Sequence, residues 1–167
     1  SEQESATINI NSIDYQVIND LNELKYLYDE DSCGIIGIGS NIKRLLISQK
    51  IFELIPNFSW MSLLSKNAII SPSVNIGAGT VVISGSQINV GSIIGKHCII
   101  NSKALIEHDC LISNHCHIST NATINGGVEI GNQVFIGSGS IIKQGIKIGS
   151  KNLIPAGSVV MKDLPNK

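Results

Sequence analysis

Three of the four histidines lie within ten residues of one another, in Glu107-His108-Asp109-Cys110 and Asn114-His115-Cys116-His117. A carboxylate beside an imidazole can orient the ring and fix its tautomer, as a general base requires. His108 with Asp109 is therefore the candidate catalytic pair. Gly126-Gly127 follows His108 by eighteen residues and offers backbone N–H groups free of side chains, the kind of donor that holds a developing oxyanion. A weaker signal is Gly37-Ile38-Gly39-Ser40, which ends an apolar run and precedes a helical pattern, where α/β sheets bind ligands. A tight packing turn would account for that loop equally well. The four cysteines, Cys33, Cys98, Cys110 and Cys116, include no CxxC pair. Three of them fall on an inward position of the repeat described next, so they read as packing residues rather than ligands or disulfides, and no metal is expected.

These residues sit in a repeat. From Ile70 to Val160 every sixth residue is Ile or Val, and Leu64 extends the run backwards. Neither a helix nor an alternating strand gives a period of six, and a fixed hexad marks a solenoid whose short strands bury their side chains only by stacking on copies of themselves. Four places after each large aliphatic comes a small or modestly apolar residue, as at Val74, Cys98, Ala104, Cys116 and Ala122, with Asn152 the clear misfit. Three hexads make one triangular coil, so residues eighteen apart stack and residues nine apart lie on opposite sides of the prism. His108, third in its hexad, then projects outward near a corner, one coil below Gly126-Gly127. A composition 43% hydrophobic but only 4% aromatic suits a thin aliphatic core.

The first 62 residues read differently. Tyr15–Ile18 predicts a strand, Leu21, Leu24, Leu27 and Tyr28 a helix capped by Asn19 or Asp20, Cys33–Ile38 a second strand, and Ser40 or Asn41 the cap of a helix carrying Ile42, Leu45, Leu46 and Ile51. Strand, helix, strand, helix implies a small parallel α/β layer. The predicted fold is thus a mixed α/β N-terminal layer over 1–62, small, Rossmann-like and incomplete, followed by a parallel β-helix over 63–167. Ser1–Asn11 shows no period and reads as loop. A net charge of −1 provides no footprint for nucleic acid or an anionic membrane. Without an eighteen-residue apolar run or a leader pattern, the expectation is a soluble cytoplasmic protein.

The order of these parts, with Ile106-Glu107-His108-Asp109-Cys110, His117-Ile118-Ser119 and Gly126-Gly127-Val128, resembles the sugar O-acyltransferase family of left-handed β-helix hexapeptide acyltransferases. That family holds sialic acid O-acetyltransferases, UDP-4-amino-sugar N-acetyltransferases and GDP-perosamine N-acetyltransferase. The resemblance, over about Tyr15–Pro165, implies a left-handed coil and a homotrimer that uses acetyl-CoA in clefts between neighbouring β-helices. It also implies His108 as base, Asp109 as its partner, and His117 and Gly126-Gly127 at the acetyl group or cofactor, while the Gly37-Ile38-Gly39 loop stays the candidate substrate contact from its own place in the α/β layer. The expected reaction acetylates the amine of a nucleotide-linked 4-amino sugar for bacterial surface glycan such as lipopolysaccharide or capsule. A sialic acid or other sugar hydroxyl is the alternative acceptor, and a non-catalytic or zinc-binding hexapeptide solenoid the alternative of another class. Ser119-Thr120-Asn121 stands where the family commonly has a Pro-Gly turn, its glycine-rich nucleotide loop is not visible, and the chain ends before the tail that often closes on the pantetheine arm.

Overall fold

The structure, a computed structural model, describes residues 6–167. From Leu63–Leu64 to Val159–Val160 the chain forms two-residue strands joined by four-residue corners, and these strands stack into three parallel sheets. The first face runs from Ile69–Ile70 through Leu105–Ile106 to Val159–Val160, the second from Asn75–Ile76 through Leu111–Ile112 to Lys147–Ile148, and the third from Leu63–Leu64 through His117–Ile118 to Leu153–Ile154. Register is strict. Ile106 pairs with Ile88 and Ile124, and Ile118 with Ile100 and Ile136, so each residue sits on its counterpart eighteen away.

The hexad aliphatics from Val82 to Ile154 fill the axis and are almost wholly buried. Each contributes about 2–3 kcal/mol by leaving water. The inward small residues do more than fit: Ser92 Oγ donates to Glu107 O at 2.8 Å, and Cys98 and Cys116 donate to Ser113 O and Gly131 O at 3.0 Å each. A small side chain with one weak donor thus satisfies a corner carbonyl of the next coil. Cys98, Cys110 and Cys116 are buried free thiols, and Cys33 is exposed. Asn152 fits because its Nδ2 donates to Gly149 O and Pro165 O, at 2.9 and 2.7 Å, beneath the C-terminal tail.

At many corners the third of the four residues adopts positive φ, with glycine at 91, 127 and 145 but His97, Asp109, His115 and Asn121 at others. Asn, Asp and His tolerate that region best among side-chain-bearing residues. Gly95 has another reason: a Cβ there would lie 2.7 Å from the Ser113 carbonyl carbon, so close coil approach excludes a side chain.

The N-terminal part departs from expectation. Strands β1 (Ala6–Ile10) and β2 (Ile13–Val17) pair antiparallel, with Asn11 and Ser12 both at positive φ in a two-residue turn, the hairpin solution for such a loop. Part of the stretch read as loop is therefore strand, and residues 1–5 lie outside the described residues. A single turn at Leu21–Glu23, capped by Asp20, leads into the four-residue helix α1 (Leu24–Leu27). Cys33–Ile38 is not a strand. Its one ladder contact is the parallel bridge of Gly34 to Trp60, and at its end the Ile38 carbonyl is taken by Arg44. Strand and helix both occur in 1–62, but among the described residues no Rossmann-like parallel sheet forms there.

Helix α2 (Asn41–Leu54) is capped by Ser40 Oγ, which accepts from Lys43 N. The side facing the solenoid carries Asn41, Arg44, Ser48 and Ile51, while Ile42 and Leu46 are exposed. Of the apolar residues read on this helix, Ile51 is thus on the buried side and Ile42 and Leu46 are not. Six acceptors of Arg44 and two of Asn41, all but the Asn41 Oδ1 of the helix itself being backbone oxygens of corners and loops, explain why polar side chains face inward.

Candidate active site

The corner between the first and second faces carries Glu107-His108-Asp109. Asp109 is in the left-handed region at φ 57° and its N–H donates to Val90 O at 2.9 Å. That backbone turns its side chain back over Gly91, where a Cβ would collide with Asp109 Oδ1. The other oxygen, Oδ2, lies 2.9 Å from His108 Nδ1. Facing an acceptor, Nδ1 carries the proton and donates, which leaves the Nε2 lone pair as the basic end. Both side chains remain more than half exposed.

One coil above, the imidazole rests on Gly126. A Cβ at that position would lie 2.5 Å from His108 Nε2, so only glycine lets the ring settle there. The two glycines differ in role. Gly127 N donates to His108 O at 2.9 Å and is used in the coil, whereas no hydrogen bond of the described residues is donated by Gly126 N. On the strand side of His108, Glu107 Oε2 accepts from Asn89 Nδ2 at 2.9 Å, and Gln87 Nε2 in turn donates to Asn89 Oδ1 at 2.9 Å. The arrangement offers an oriented base, open to solvent, beside a backbone donor without a partner.

His117 lies elsewhere, on the third face, which is opposite the His108 corner. Its Nδ1 donates to Gly39 O at 3.2 Å and its Nε2 accepts from Asn101 Nδ2 at 3.2 Å, while the ring meets Phe135 edge-on with centroids 5.0 Å apart. Burial holds its pKa below the ordinary value; the Gly39 bond opposes this and the Arg44 charge adds to it. Beside it runs a groove of about 510 Å³ whose walls include Gly39, Ile42, His117, Phe135, Lys151 and Leu153. In the Gly37-Ile38-Gly39 loop the Ile38 and Gly39 carbonyls are thus held by Arg44 and the Gly39 carbonyl also by His117, and space around Gly37 and Gly39 would admit a Cβ. The structure brings together His108, Asp109, Gly126 and Gly127 in one place and Gly39 with His117 in another.

Residues that the sequence did not single out hold the second place. Arg44 and Asn101 fix Gly39 and His117 respectively. At the corner between the second and third faces His97 and His115 stack with centroids 5.0 Å apart, and Trp60 meets His97 edge-on at 4.6 Å. The Nδ1 atoms of both histidines are buried without a partner. Burial lowers both pKa values, with His115 near 4. Among the described residues no group of three or more His, Cys, Asp or Glu could hold a metal ion, and no helix is long and apolar enough to cross a membrane.

No protein-family model and no curated protein matches the chain. Solved structures do. A His-to-Asn variant of perosamine N-acetyltransferase from Caulobacter crescentus, in complex with CoA and GDP-perosamine, superposes with a TM-score of 0.84 at 34% identity, covering 89% of this chain and 70% of that one. The acetyltransferase domain of PglB from Neisseria gonorrhoeae, in complex with acetyl coenzyme A, gives 0.85 at 29% identity over 98% of this chain and 78% of that one. WeeI from Acinetobacter baumannii shares the fold, with a TM-score of 0.60 at 22% identity over 95% of this chain and 75% of that one.

Proposed function

The chain belongs to the hexapeptide-repeat sugar acetyltransferases and is an acetyl-CoA-dependent enzyme acting on a sugar, and from that premise we propose that its acceptor is the amine of a nucleotide-linked 4-amino sugar. The observation that carries the mechanism is the His108 Nδ1–Asp109 Oδ2 bond at an open corner, with Nε2 over Gly126. His108 takes a proton from the sugar amine as its nitrogen attacks the thioester carbonyl. The C–N bond forms, the Gly126 amide holds the tetrahedral oxyanion, and the C–S bond breaks as CoA leaves and recovers the proton from the imidazolium. No covalent enzyme intermediate is needed, since the three solenoid thiols are buried and turn inward, each onto a corner carbonyl rather than an imidazole.

Acetyl-CoA lies along the groove of His117 and Phe135, and the 1–62 segment with its Gly37-Ile38-Gly39 loop contacts the nucleotide sugar. GDP-perosamine and CoA in the Caulobacter complex, and acetyl coenzyme A in the Neisseria one, support this reading. Because His108 and His117 face away from each other within one chain, the site forms between neighbouring subunits of a homotrimer. We place the enzyme in the cytoplasm, where acetyl-CoA and nucleotide sugars are available, and in the synthesis of surface glycan.

CoA release, measured by thiol titration against UDP- and GDP-4-amino sugars, sialic acids and free amino acids, tests the acceptor. Turnover confined to sialic acid would replace the amine by a hydroxyl. His108→Ala should keep the fold by circular dichroism and lose about 10²- to 10⁴-fold in kcat, the usual worth of a general base. Near-normal turnover in the folded variant would remove His108 from the mechanism.

A further inference from the structure

We propose that Arg44, through Gly39, is a positioning residue that fixes His117 in a single tautomer with its Nε2 lone pair available. The proposal rests on the reading of the His117 groove as part of the acetyl-transfer site. Arg44 is fully buried in the first turn of α2. Its Nε donates to His97 O at 2.7 Å; Nη1 donates to Ile38 O at 2.9 Å and Gly39 O at 3.2 Å; Nη2 donates to Asn41 Oδ1, His115 O and Cys116 O at 2.8, 3.0 and 3.1 Å. All six acceptors are neutral oxygens, and no carboxylate approaches. A buried cation without a counterion is costly unless every donor is used, so this charge is held for what it organises. It joins two successive coils, at one corner row of the solenoid, to the loop that touches His117.

The consequence falls on Gly39. Its carbonyl accepts from Arg44 Nη1 and from His117 Nδ1 at once. With the carbonyl pinned, His117 must carry its proton on Nδ1, and Nε2 becomes an acceptor that meets Asn101 Nδ2 at 3.2 Å. A ring so arranged can accept a hydrogen bond from a bound acyl donor in exchange for Asn101, but it cannot donate one from Nε2. The guanidinium charge also discourages protonation of His117. Lysine could not replace this arrangement, having one nitrogen and three donors where the site presents acceptors around a planar fork.

The test is the nitrogen-15 spectrum of the histidine rings in the full chain, with His117 assigned by its loss in His117→Gln. The wild-type protein should show Nδ1 protonated and Nε2 unprotonated at pH 8, with protonation setting in only below the ordinary histidine range. Arg44→Lys should give exchanging tautomers and titration nearer the ordinary histidine range, and should raise the KM for acetyl-CoA about tenfold with a smaller change in kcat. A wild-type His117 protonated at Nε2 overturns the proposal whether or not the variant folds. So does an Arg44→Lys spectrum identical to wild type, whereas a shifted spectrum with KM unchanged overturns the acetyl-transfer reading of the groove instead. The spectrum requires no turnover, so it judges Arg44 even if the acetyl-transfer reading of the groove fails, whereas His108→Ala judges the base assignment alone.

Discussion

Two neighbouring glycines separate chemistry from folding at the scale of single residues. Gly126 has ordinary backbone angles, and what forbids a side chain there is the His108 ring, 2.5 Å from where a Cβ would stand. Gly127 has open space around it but a φ of +68°. Gly126→Ala should therefore displace the imidazole by about an ångström and lower kcat on the order of 10²-fold, with little change in melting temperature. Gly127→Ala should do the reverse, costing about 1–2 kcal/mol for a left-handed alanine while keeping most of the activity per folded molecule. Steady-state kinetics beside thermal unfolding distinguish them. If Gly126→Ala left kcat unchanged, the contact between ring and glycine would have no part in catalysis.

Among the elements, the corner that holds His97 and His115 answers to pH. Folding moves His115 from 6.5 to about 4 and lowers His97 as well, in both cases chiefly through burial. Between those values the unfolded chain binds more protons than the folded one, so stability falls as pH drops from about 6.5 toward 4 and is fully present above that window. A shift of that size on a fully buried ring would correspond to about 3 kcal/mol; for the half-buried His115, solvent screening reduces it to on the order of 1 kcal/mol. Trp60 packs on His97 and is the only tryptophan, so its fluorescence should report the change, and His115→Gln should flatten the profile. An unchanged slope in that variant would assign the acid sensitivity to other groups. The solenoid was legible in the sequence because one short period decides both burial and register, and Ile106, Ile118 and Ile124 all fall on the axis. The corner pair of His108 and Asp109 was legible for the same reason. The inward side of helix α2 was not: the helix itself could be read, but long-range bonds from Arg44 and Asn41 to corner carbonyls set which side faces the solenoid, and no local pattern encodes acceptors more than fifty residues away. Cys33–Ile38 misled likewise, since an apolar run reads as strand even where a single bridge is its one ladder contact.

For the whole molecule, the half-coil separation of His108 and His117 bears on assembly. Each subunit of the proposed trimer contributes His108 to one cleft and His117 to the next. Mixing His108→Ala with His117→Ala subunits, each inactive alone, should restore about a quarter of the wild-type clefts, since each needs two intact halves drawn independently from an equal mixture. No recovery in mixed trimers verified by mass would mean that one chain builds the whole site or that His117 takes no part. The register has a different consequence for how such a chain can change over time. Each side chain's direction depends on its count from the first coil, so a one-residue deletion between Asp109 and Gly126 acts like a frameshift. It would turn downstream axis residues such as Ile130 and Ile136 toward solvent and move Gly126 away from the His108 ring. Substitution can proceed residue by residue along the prism, but length can change only by whole coils or by loops extruded at a corner.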